Sequence, residues 1–354
     1  MEIQEILQLA LKRRASDIHL MVGAYPTLRI DGRLEPIANA PAPTVEYIEK
    51  IVLQLCSPEQ KDLLLTNKEI DFSFALGEMV RFRVNAFHQK GYLAASLRLI
   101  PMKIPTLEEL HLPKVLSNFT KMRQGFILVT GPTGHGKSTS LAAMINQINE
   151  ERAYHIITVE DPIEYIFPSR KALIAQREMH QDTHSWERAL RSALREDPDV
   201  VLVGEMRDYE TIAAALTIAE TGHLVFATLH TNSAAQTVDR IVDVFPEHQQ
   251  DQVKLQFSNV FEGIVSQRLL PAIDGGRYPC SEILLATPAV RNIIREGKSH
   301  LIDNTIQTST QVGMMTLESS LASLVKGGKV ALDVALSYSL KPDELMRFVK
   351  GTAR

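Results

Sequence analysis

The stretch Gly125–Ile148, GFILVTGPTGHGKSTSLAAMINQI, constrains the fold of this chain more than any other part of its sequence. It begins with Phe126–Thr130, a short apolar run rich in β-branched residues, as in strands buried within a parallel sheet. Gly131–Ser138 then fits G-x-x-x-x-G-K-[ST], the P-loop pattern. Apolar residues follow at helical spacing: Leu141, Met144, Ile145 and Ile148. The sequence therefore predicts a strand, a phosphate-binding loop and a helix, in that order.

The residue types of the loop suit phosphate binding. Glycines let backbone N–H groups approach phosphate oxygens, and the helix N-terminus adds unpaired N–H groups and a positive dipole end. We expect Lys137 to contact the β- and γ-phosphates and Ser138 to ligate Mg²⁺. His135 is bulky and titratable, and we expect its side chain to point to solvent. The predicted ATP-binding residues are Gly131, Pro132, Thr133, Gly134, His135, Gly136, Lys137, Ser138 and Thr139.

Length and composition limit the class of protein. A chain of 354 residues is long enough for two or three domains, and its hydrophobic content of 45% is enough for full cores. The net charge of −4 gives no basic field for nucleic acid. The two cysteines, Cys56 and Cys280, are far apart and lack metal-binding spacing. This argues against both a zinc site and a disulfide scaffold, and a reducing cytosol is then the simplest setting. The first residues predict an amphipathic helix instead of a signal peptide, and no apolar run is long enough for a transmembrane segment. We therefore expect a cytoplasmic protein that can still dock on a membrane complex.

Residues 1–100 predict a small α+β domain. It starts with the amphipathic helix, and Ser57–Gln60 supplies a capping box for a later one. A hairpin is indicated by Asp31-Gly32, because type I′ turns need positive φ. The predicted strands are Asp17–Met21, Thr27–Leu34, Ile70–Leu76, Val80–Phe87 and Tyr92–Ile100. Residues 101–113, with three prolines and a capping box at Thr106–Glu109, predict a linker containing a short helix, and residues 114–354 form the second domain.

Val80–Phe87 alternates in character, so that its apolar residues face one way and Arg81 and Arg83 face the other. The next strand contributes Arg98. These arginines could form an ordinary solvated face of the sheet. Alternatively, they could reach an anion in another domain or subunit, since an arginine supplied in trans raises the rate of some NTPases by roughly 10³–10⁵.

The second domain repeats a pattern of apolar strand, polar residue and helix. Each strand is short enough and apolar enough to be buried on both faces of a parallel sheet, and each delivers a reactive side chain at its carboxyl end, where ligands bind in open α/β sheets. The predicted strands are Phe126–Thr130, Ile156–Val159, Val200–Val203 and Leu224–Leu229. Beyond residue 230 we expect mostly helix, with a turn at Gly275-Gly276 and a strand at Cys280–Ala286.

Acids at these strand ends are candidates for the chemistry of hydrolysis. Glu205 follows DPDVVLVG, which has the form of a Walker B strand, and could hold the water shell of Mg²⁺ or act as a base on the attacking water. Glu160 and Glu164, in TVEDPIEY, could do the same. Arg207, just after Glu205, could pair with a carboxylate or a phosphate.

Two histidines flank the predicted strand Leu224–Leu229. His230, which follows the strand, could sense the γ-phosphate through a hydrogen bond. His223 precedes the same strand, and for it a structural role is as plausible as a catalytic one.

Four segments occur in the order and spacing of the secretion-type ATPases of type II secretion and type IV pili. GPTGHGKST resembles the Walker A motif of that family, TVEDPIEY its Asp box, ALREDPDVVLVGEMRD its Walker B motif and TGHLVFATLHTNSA its His box. The segment ASDIHLMVGAYPTLRIDGRL resembles the family's PAS-like N-terminal domain. Within the family, AVRNI followed by IREGK resembles a motif of the twitching-motility retraction ATPases. His135 departs from the family's usual serine.

The resemblance implies a RecA-like P-loop ATPase domain behind a smaller PAS-like α+β domain, with ATP and Mg²⁺ as cofactors. It implies a homo-hexamer in which nucleotide lies between subunits, so that Arg83 and Arg98, with Arg81 as a further candidate, act in trans. The implied function is an ATP-hydrolysing motor that powers type IV pilus retraction, disassembling the pilus in twitching motility. Its implied partner is an inner-membrane platform protein, and its place is the inner face of the cytoplasmic membrane.

Three other functions remain open. A pilus-assembly or type II secretion ATPase would have the same fold, although the assembly ATPases carry a four-cysteine zinc element that this sequence lacks. A nucleotide-sensing regulator that does not hydrolyse ATP would explain His135. A DNA-translocating motor is weakened by the acidic net charge, because a DNA channel needs clustered Lys and Arg.

Overall fold

The computed structural model describes residues 1–30, 32–38, 40–77, 80–100 and 103–351. The chain is organised as two compact units. The first holds Met1–Lys103 together with Pro162–Ile166, and the second holds Ile104–Asp161 and the chain from Phe167 onward. The division after Lys103 lies within residues 101–113, the predicted linker. No sequence signal indicates that Pro162–Ile166 belongs with the first unit.

The first unit is a six-stranded antiparallel sheet with helices, in the strand order β3-β2-β1-β6-β5-β4. Its elements are α1 (Ile3–Lys12), β1 (Asp17–Met21), β2 (Ala24–Ile30), β3 (Arg33–Pro36), α2 (Val45–Leu53), α3 (Pro58–Asn67), β4 (Glu69–Leu76), β5 (Val80–Gln89) and β6 (Tyr92–Leu99). Asp31, half of the predicted hairpin turn, lies outside the described residues, but Ile30 and Arg33 on either side pair as adjacent strands. The sheet is therefore built from two sets of three consecutive strands, and the long connection through α2 and α3 leads from one set to the other.

Local sequence explains these elements. Ser57 accepts a hydrogen bond from the backbone of Gln60, whose side chain accepts one in return from the backbone of Ser57, and this capping box starts α3. Along β5, Phe82, Val84 and Ala86 are buried, whereas Arg83 is exposed. The alternation predicted for this strand is therefore present, with the apolar face packed in the core of the unit.

The second unit is a seven-stranded sheet with helices, in the strand order β13-β12-β7-β11-β10-β8-β9. Every pair is parallel except β12 with β13. Its strands are β7 (Gly125–Thr130), β8 (His155–Glu160), β9 (Leu173–Glu178), β10 (Val200–Val203), β11 (Leu224–Leu229), β12 (Phe261–Pro271) and β13 (Arg277–Leu285). Its helices are α4 (Leu116–Phe119), α5 (Lys137–Glu151), α6 (Trp186–Ala193), α7 (Tyr209–Glu220), α8 (Ala234–Asp243), α9 (Glu247–Val260), α10 (Pro288–Arg295), α11 (Ile302–Thr308), α12 (Leu317–Lys326), α13 (Leu332–Tyr338) and α14 (Pro342–Lys350). The predicted α/β class, with a smaller α+β unit before it, is confirmed.

Three local expectations are wrong or incomplete. Thr106 and Glu109 exchange the predicted capping hydrogen bonds, but the residues that follow form turns and not a helix. Strand β9 has no counterpart among the predicted strands. The segment expected to be mostly helical after residue 230 contains β12, because Phe261 leaves the helical path of α9 and the chain then pairs with the distant strand β7.

The hairpin at the edge of this sheet agrees with the sequence. Gly275 and Gly276, both with positive φ, lie in the connection between β12 and β13. The strand expected at Cys280–Ala286 forms most of β13. The turn signal is local, which is why it could be recognised without knowledge of the partner strand.

Within the described part of the chain, no helix combines the length and the apolar character needed to cross a membrane.

Candidate nucleotide-binding site

The P-loop joins an inner strand of the sheet to the helix α5. Every residue of β7 is buried, and α5 begins directly after Gly136, whose φ of 81° lies in the left-handed region. The apolar residues predicted on one face of α5 are all buried: Leu141, Met144, Ile145 and Ile148. The first turn of α5 therefore presents its N–H groups at the carboxyl edge of the sheet, where the oxygens of a phosphate group can accept hydrogen bonds from them.

Gly131 is required at its position. Its φ is 136°, and a Cβ there would lie 2.2 Å from the carbonyl oxygen of Gln267 on β12. Lys137 folds back over the loop, where its Nζ donates to the carbonyl oxygens of Gly131 at 2.8 Å and Pro132 at 3.0 Å. The loop is thus a closed turn with a buried ammonium group at its centre.

The side chain of His135 does not point to solvent, so that expectation is wrong. Its Nδ1 accepts a hydrogen bond of 2.9 Å from the backbone N–H of Leu269, and its ring packs edge-on against Tyr338. Burial lowers the pKa of His135, and the charges of Arg268 and Lys137 lower it further. The imidazole is therefore neutral, with Nδ1 unprotonated, and it anchors the loop to β12.

Glu205 stands at the centre of a hydrogen-bond network at the same edge, just beyond β10. Arg207 donates to Oε2 at 2.8 Å, and Nε2 of His230 lies 3.0 Å from Oε1. Nδ1 of His230 lies 3.4 Å from the hydroxyl of Thr133 in the P-loop. Both contacts of the imidazole are satisfied when Nε2 carries its proton. Glu205 is therefore linked through His230 to the loop.

The protonation state of Glu205 follows from these partners. Burial raises the pKa of its carboxyl, but the hydrogen bond from Arg207 and the positive charges of Arg207 and Lys137 outweigh it, so the net shift is downward. Glu205 is thus an anion at neutral pH. A carboxylate held in this way suits orientation of a water or a hydrated cation better than strong general-base catalysis, which favours a pKa near the working pH.

Glu160 and Glu164 have different surroundings. Glu160 ends β8 with its carboxylate largely buried, where it accepts hydrogen bonds from Thr158 at 2.7 Å and Gln176 at 3.3 Å. Glu164 lies in Pro162–Ile166, the segment that belongs to the first unit. The catalytic roles of these two acids remain predictions.

His223 lies away from the P-loop edge, at the amino end of β11. Its Nδ1 lies 2.9 Å from the carbonyl oxygen of Ile218 and 3.0 Å from the hydroxyl of Thr221, at the end of α7. Since β11 runs from here to His230 at the opposite edge, His223 cannot reach a phosphate bound by the same subunit's loop. The structural alternative fits this position.

The arginines of the first unit share one side of its sheet. Arg83 on β5 lies directly opposite Arg98 on β6. Arg98 donates to Asp17 at 2.8 Å, although its side chain is 73% exposed. Arg81 is half-buried on β5. The carboxylate of Asp17 offsets only one of the two opposed guanidinium groups, so the pair keeps a net positive charge and a further anion bound near it would be stabilised.

A P-loop that closes onto an inner strand of a mostly parallel sheet, with a carboxylate at the end of another strand of that sheet, defines a P-loop nucleotide-binding protein. A family model described as type II/IV secretion system protein matches residues 1–313. The chain belongs to this family, and the predicted resemblance is confirmed.

Relatives narrow the comparison further. The chain is 46% identical over 343 residues to the type IV pilus retraction ATPase PilT of Pseudomonas aeruginosa, covering 97% of this chain and 99% of that one. It is 51% identical over 311 residues to a twitching motility protein of Neisseria gonorrhoeae, covering 88% and 83% of the two chains. A crystal structure of the pilus retraction motor PilT with bound ADP superposes with a TM-score of 0.91 at 47% identity, covering 98% and 99%.

Proposed function

We propose that this chain is an ATP-hydrolysing motor that powers retraction of a type IV pilus. The observation that supports hydrolysis is the network from Arg207 through Glu205 and His230 to Thr133, which ties a carboxylate to the P-loop. The near full-length similarity to a retraction ATPase supports the choice of process.

In this proposal, ATP is the substrate and the loop Gly131–Thr139 holds its phosphates. Lys137 turns from the carbonyl oxygens of the loop to the β- and γ-phosphates. Glu205 orients the attacking water, and His230 fixes the direction of its carboxylate through the 3.0 Å contact. Glu160, at the end of the strand β8 that pairs with β10, is the second candidate for holding a water near the metal.

The oxygen donors at this edge of the sheet fit Mg²⁺. An ion that binds together with ATP takes one or two protein oxygens and completes its shell with phosphates and waters. Ser138 lies in the first turn of α5, and the anionic carboxylate of Glu205 lies at the same edge. Ser138 would supply a protein oxygen to the ion and Glu205 would hold the ion through its water shell, and the ion would neutralise charge on the phosphates.

We further propose a homo-hexamer with nucleotide between subunits, in which the first unit of one subunit supplies arginines to the next subunit's loop. The opposed pair Arg83 and Arg98 supports this, and Arg81 is a further candidate. A rigid-body change of the ring between ATP binding and product release would be the power stroke. The motor would act at the inner face of the cytoplasmic membrane on a platform protein.

A mixing experiment tests the arginine in trans. Arg83→Ala and Lys137→Ala subunits should each be inactive alone, because one lacks the arginine and the other the phosphate contact. Mixed rings should regain ATPase activity, since some interfaces combine the intact loop of one with the intact arginine of the other. Activity no greater than that of the separate variants would refute the trans arrangement.

Deleting the gene tests the direction of the motor. Loss of a retraction motor should leave cells with excess, immobile pili, whereas loss of an assembly motor should leave none. Complementation with the Lys137→Ala variant should fail to restore motility. A deletion strain without pili would favour the alternative function in pilus assembly or secretion. In a separate assay, purified wild-type protein that binds ATP without releasing phosphate would favour a nucleotide-sensing regulator.

A further inference from the structure

Gln267 is a buried amide beside the P-loop, on a strand that no sequence motif marks. It lies on β12 and is 1% exposed. Its Nε2 donates to the carbonyl oxygen of His135 at 2.8 Å, and its Oε1 accepts from the hydroxyl of Ser140 at 2.6 Å. One side chain therefore joins the end of the loop to the first turn of α5.

Neighbouring residues of β12 hold the same loop. The hydroxyl groups of Thr130 and Ser266 lie 2.7 Å apart where β7 ends, and the backbone N–H of Leu269 donates to His135. The carbonyl oxygen of Gln267 itself fills the space that a side chain at Gly131 would need. Strand β12 thus contacts the loop at its beginning and near its end.

The same strand leads into the C-terminal helices. Arg268 donates to the carbonyl oxygen of Tyr338, at the end of α13, and the ring of Tyr338 packs against His135. Leu270 is buried in a cluster with residues of α12 and α14, Leu317, Leu321 and Leu345 among them. The loop and the C-terminal helices are therefore attached to one short piece of strand, residues 266–270.

We propose that Gln267 is a positioning residue for nucleotide: its amide fixes the P-loop relative to the N-terminus of α5, so that loop and helix N–H groups point at the same phosphates. The inference rests on the proposed function, because it assumes that this loop binds nucleotide. It goes further by assigning a specific positioning task to a residue on another strand, 131 to 136 positions away from the glycines of the loop. A purely structural role would instead affect folding alone.

The two roles predict different measurements. Gln267→Met keeps the volume but removes both hydrogen bonds. A positioning role predicts that binding of a fluorescent ADP analogue weakens about 5- to 30-fold, the effect expected when one or two hydrogen bonds no longer organise the loop. It also predicts a lower kcat for ATP. A purely structural role predicts a lower melting temperature with ADP affinity and kcat unchanged.

Ser281→Ala is the matched control. Ser281 pairs directly with Gln267 across β12 and β13, and its buried hydroxyl has no hydrogen-bond partner among the residues that the structure describes. We expect this variant to bind the ADP analogue within about twofold of wild type. If Gln267→Met fails to fold, Gln267→Asn, whose shorter amide cannot span both contacts, decides by the same criterion.

The outcomes separate the inference from the function on which it rests. Wild-type protein that does not bind the ADP analogue would overturn the proposed function, and the positioning role with it. Wild-type binding together with an unchanged dissociation constant and kcat in the Gln267 variant would overturn the positioning role alone. Weakened binding in Gln267→Met, with Ser281→Ala unchanged, would support it.

Discussion

Replacing Gly131 by alanine should damage the P-loop for two separable reasons. The φ of 136° at this position is one that L-residues rarely adopt, and the new Cβ would lie 2.2 Å from the carbonyl oxygen of Gln267. The neighbour is backbone within a paired strand, so it cannot rotate away. Gly134 offers a matched control: its φ is also positive, at 80°, but a Cβ there would meet none of the described atoms within 4 Å.

The magnitudes follow from these two geometries. A positive φ costs an alanine about 1–2 kcal/mol in the left-handed region where Gly134 lies, and the cost is no smaller at the φ of Gly131. The contact with Gln267 adds about 1–3 kcal/mol, typical of overpacking at a rigid site, for Gly131→Ala only. At roughly 3 °C for each kcal/mol in a unit of this size, we expect the melting temperature to fall roughly 3–6 °C for Gly134→Ala and roughly 6–15 °C for Gly131→Ala.

Thermal unfolding followed by circular dichroism, without nucleotide, measures both variants under one condition. Binding of an ADP analogue should weaken further in Gly131→Ala than in Gly134→Ala, because only the former moves the loop away from β12. Melting temperatures of the two variants within about 2 °C of each other would refute the reasoning, since the contact with Gln267 would then carry no cost.

Three further predictions concern single side chains. Burial raises the pKa of Glu282 to about 7, so the contribution of this group to stability is greatest below pH 4.5 and is lost as pH rises through 7, by an amount on the order of 3 kcal/mol. Glu282→Gln should flatten this profile of urea unfolding while keeping the acceptor for the N–H of Ala234. Arg291→Ala removes donors to the end of α9 and to Glu262, and should cost about 1.5–3 kcal/mol in the same assay. The pKa of His135 is lower in the folded protein than the usual 6.5. The contribution of this group to stability is therefore present above pH 6.5 and is lost as pH falls toward the pKa of the folded state. His135→Ser should remove that acid-side loss, and an unchanged profile would contradict the half-buried, neutral imidazole.

Features encoded in contiguous sequence were predictable. The strand, loop and helix around Gly131–Ser138 are confirmed because each has its own local signal. The helix α7 begins after Asp208, which caps it, and ends before Gly222, and both residue types are ones that capping preferences favour at these positions. That Glu205 and His230 lie at the same edge of the sheet was also predictable. Each follows a predicted strand, and the carboxyl ends of parallel strands lie at one edge.

Features that depend on long-range pairing were not predictable. Strand β12 has no turn signal before it, and it is a strand because β7 and β13 pair with it on either side. The polarity of His135 suggests a solvent-facing side chain. The contact that holds it instead, the N–H of Leu269, could not be foreseen, because Leu269 is more than a hundred residues away in the sequence. Gln267 could not be recognised for the same reason, and its only local signal is a polar residue within a mostly apolar strand.

The role of Arg291, in the AVRNI segment at residues 289–293 that resembles the retraction ATPases, also required the structure. The sequence indicates that Val290, Ile293 and Ile294 share an apolar face, and Val290 and Ile294 are fully buried. Arg291, between them, donates to the carbonyl oxygens of Ser258 and Asn259. The motif therefore holds α9 in place as well as packing against the core.

ATP turnover by Glu205→Gln, measured beside ATP binding, tests the central claim most directly. Glutamine keeps the shape of the side chain and can still accept from Arg207, but it loses the negative charge that orients water and hydrated Mg²⁺. The proposal predicts wild-type protein that releases phosphate, and a variant that binds ATP as tightly as wild type while hydrolysing it at least about 100-fold more slowly. Hydrolysis at the wild-type rate by the variant would contradict the claim that Glu205 and the P-loop together form the site of ATP hydrolysis.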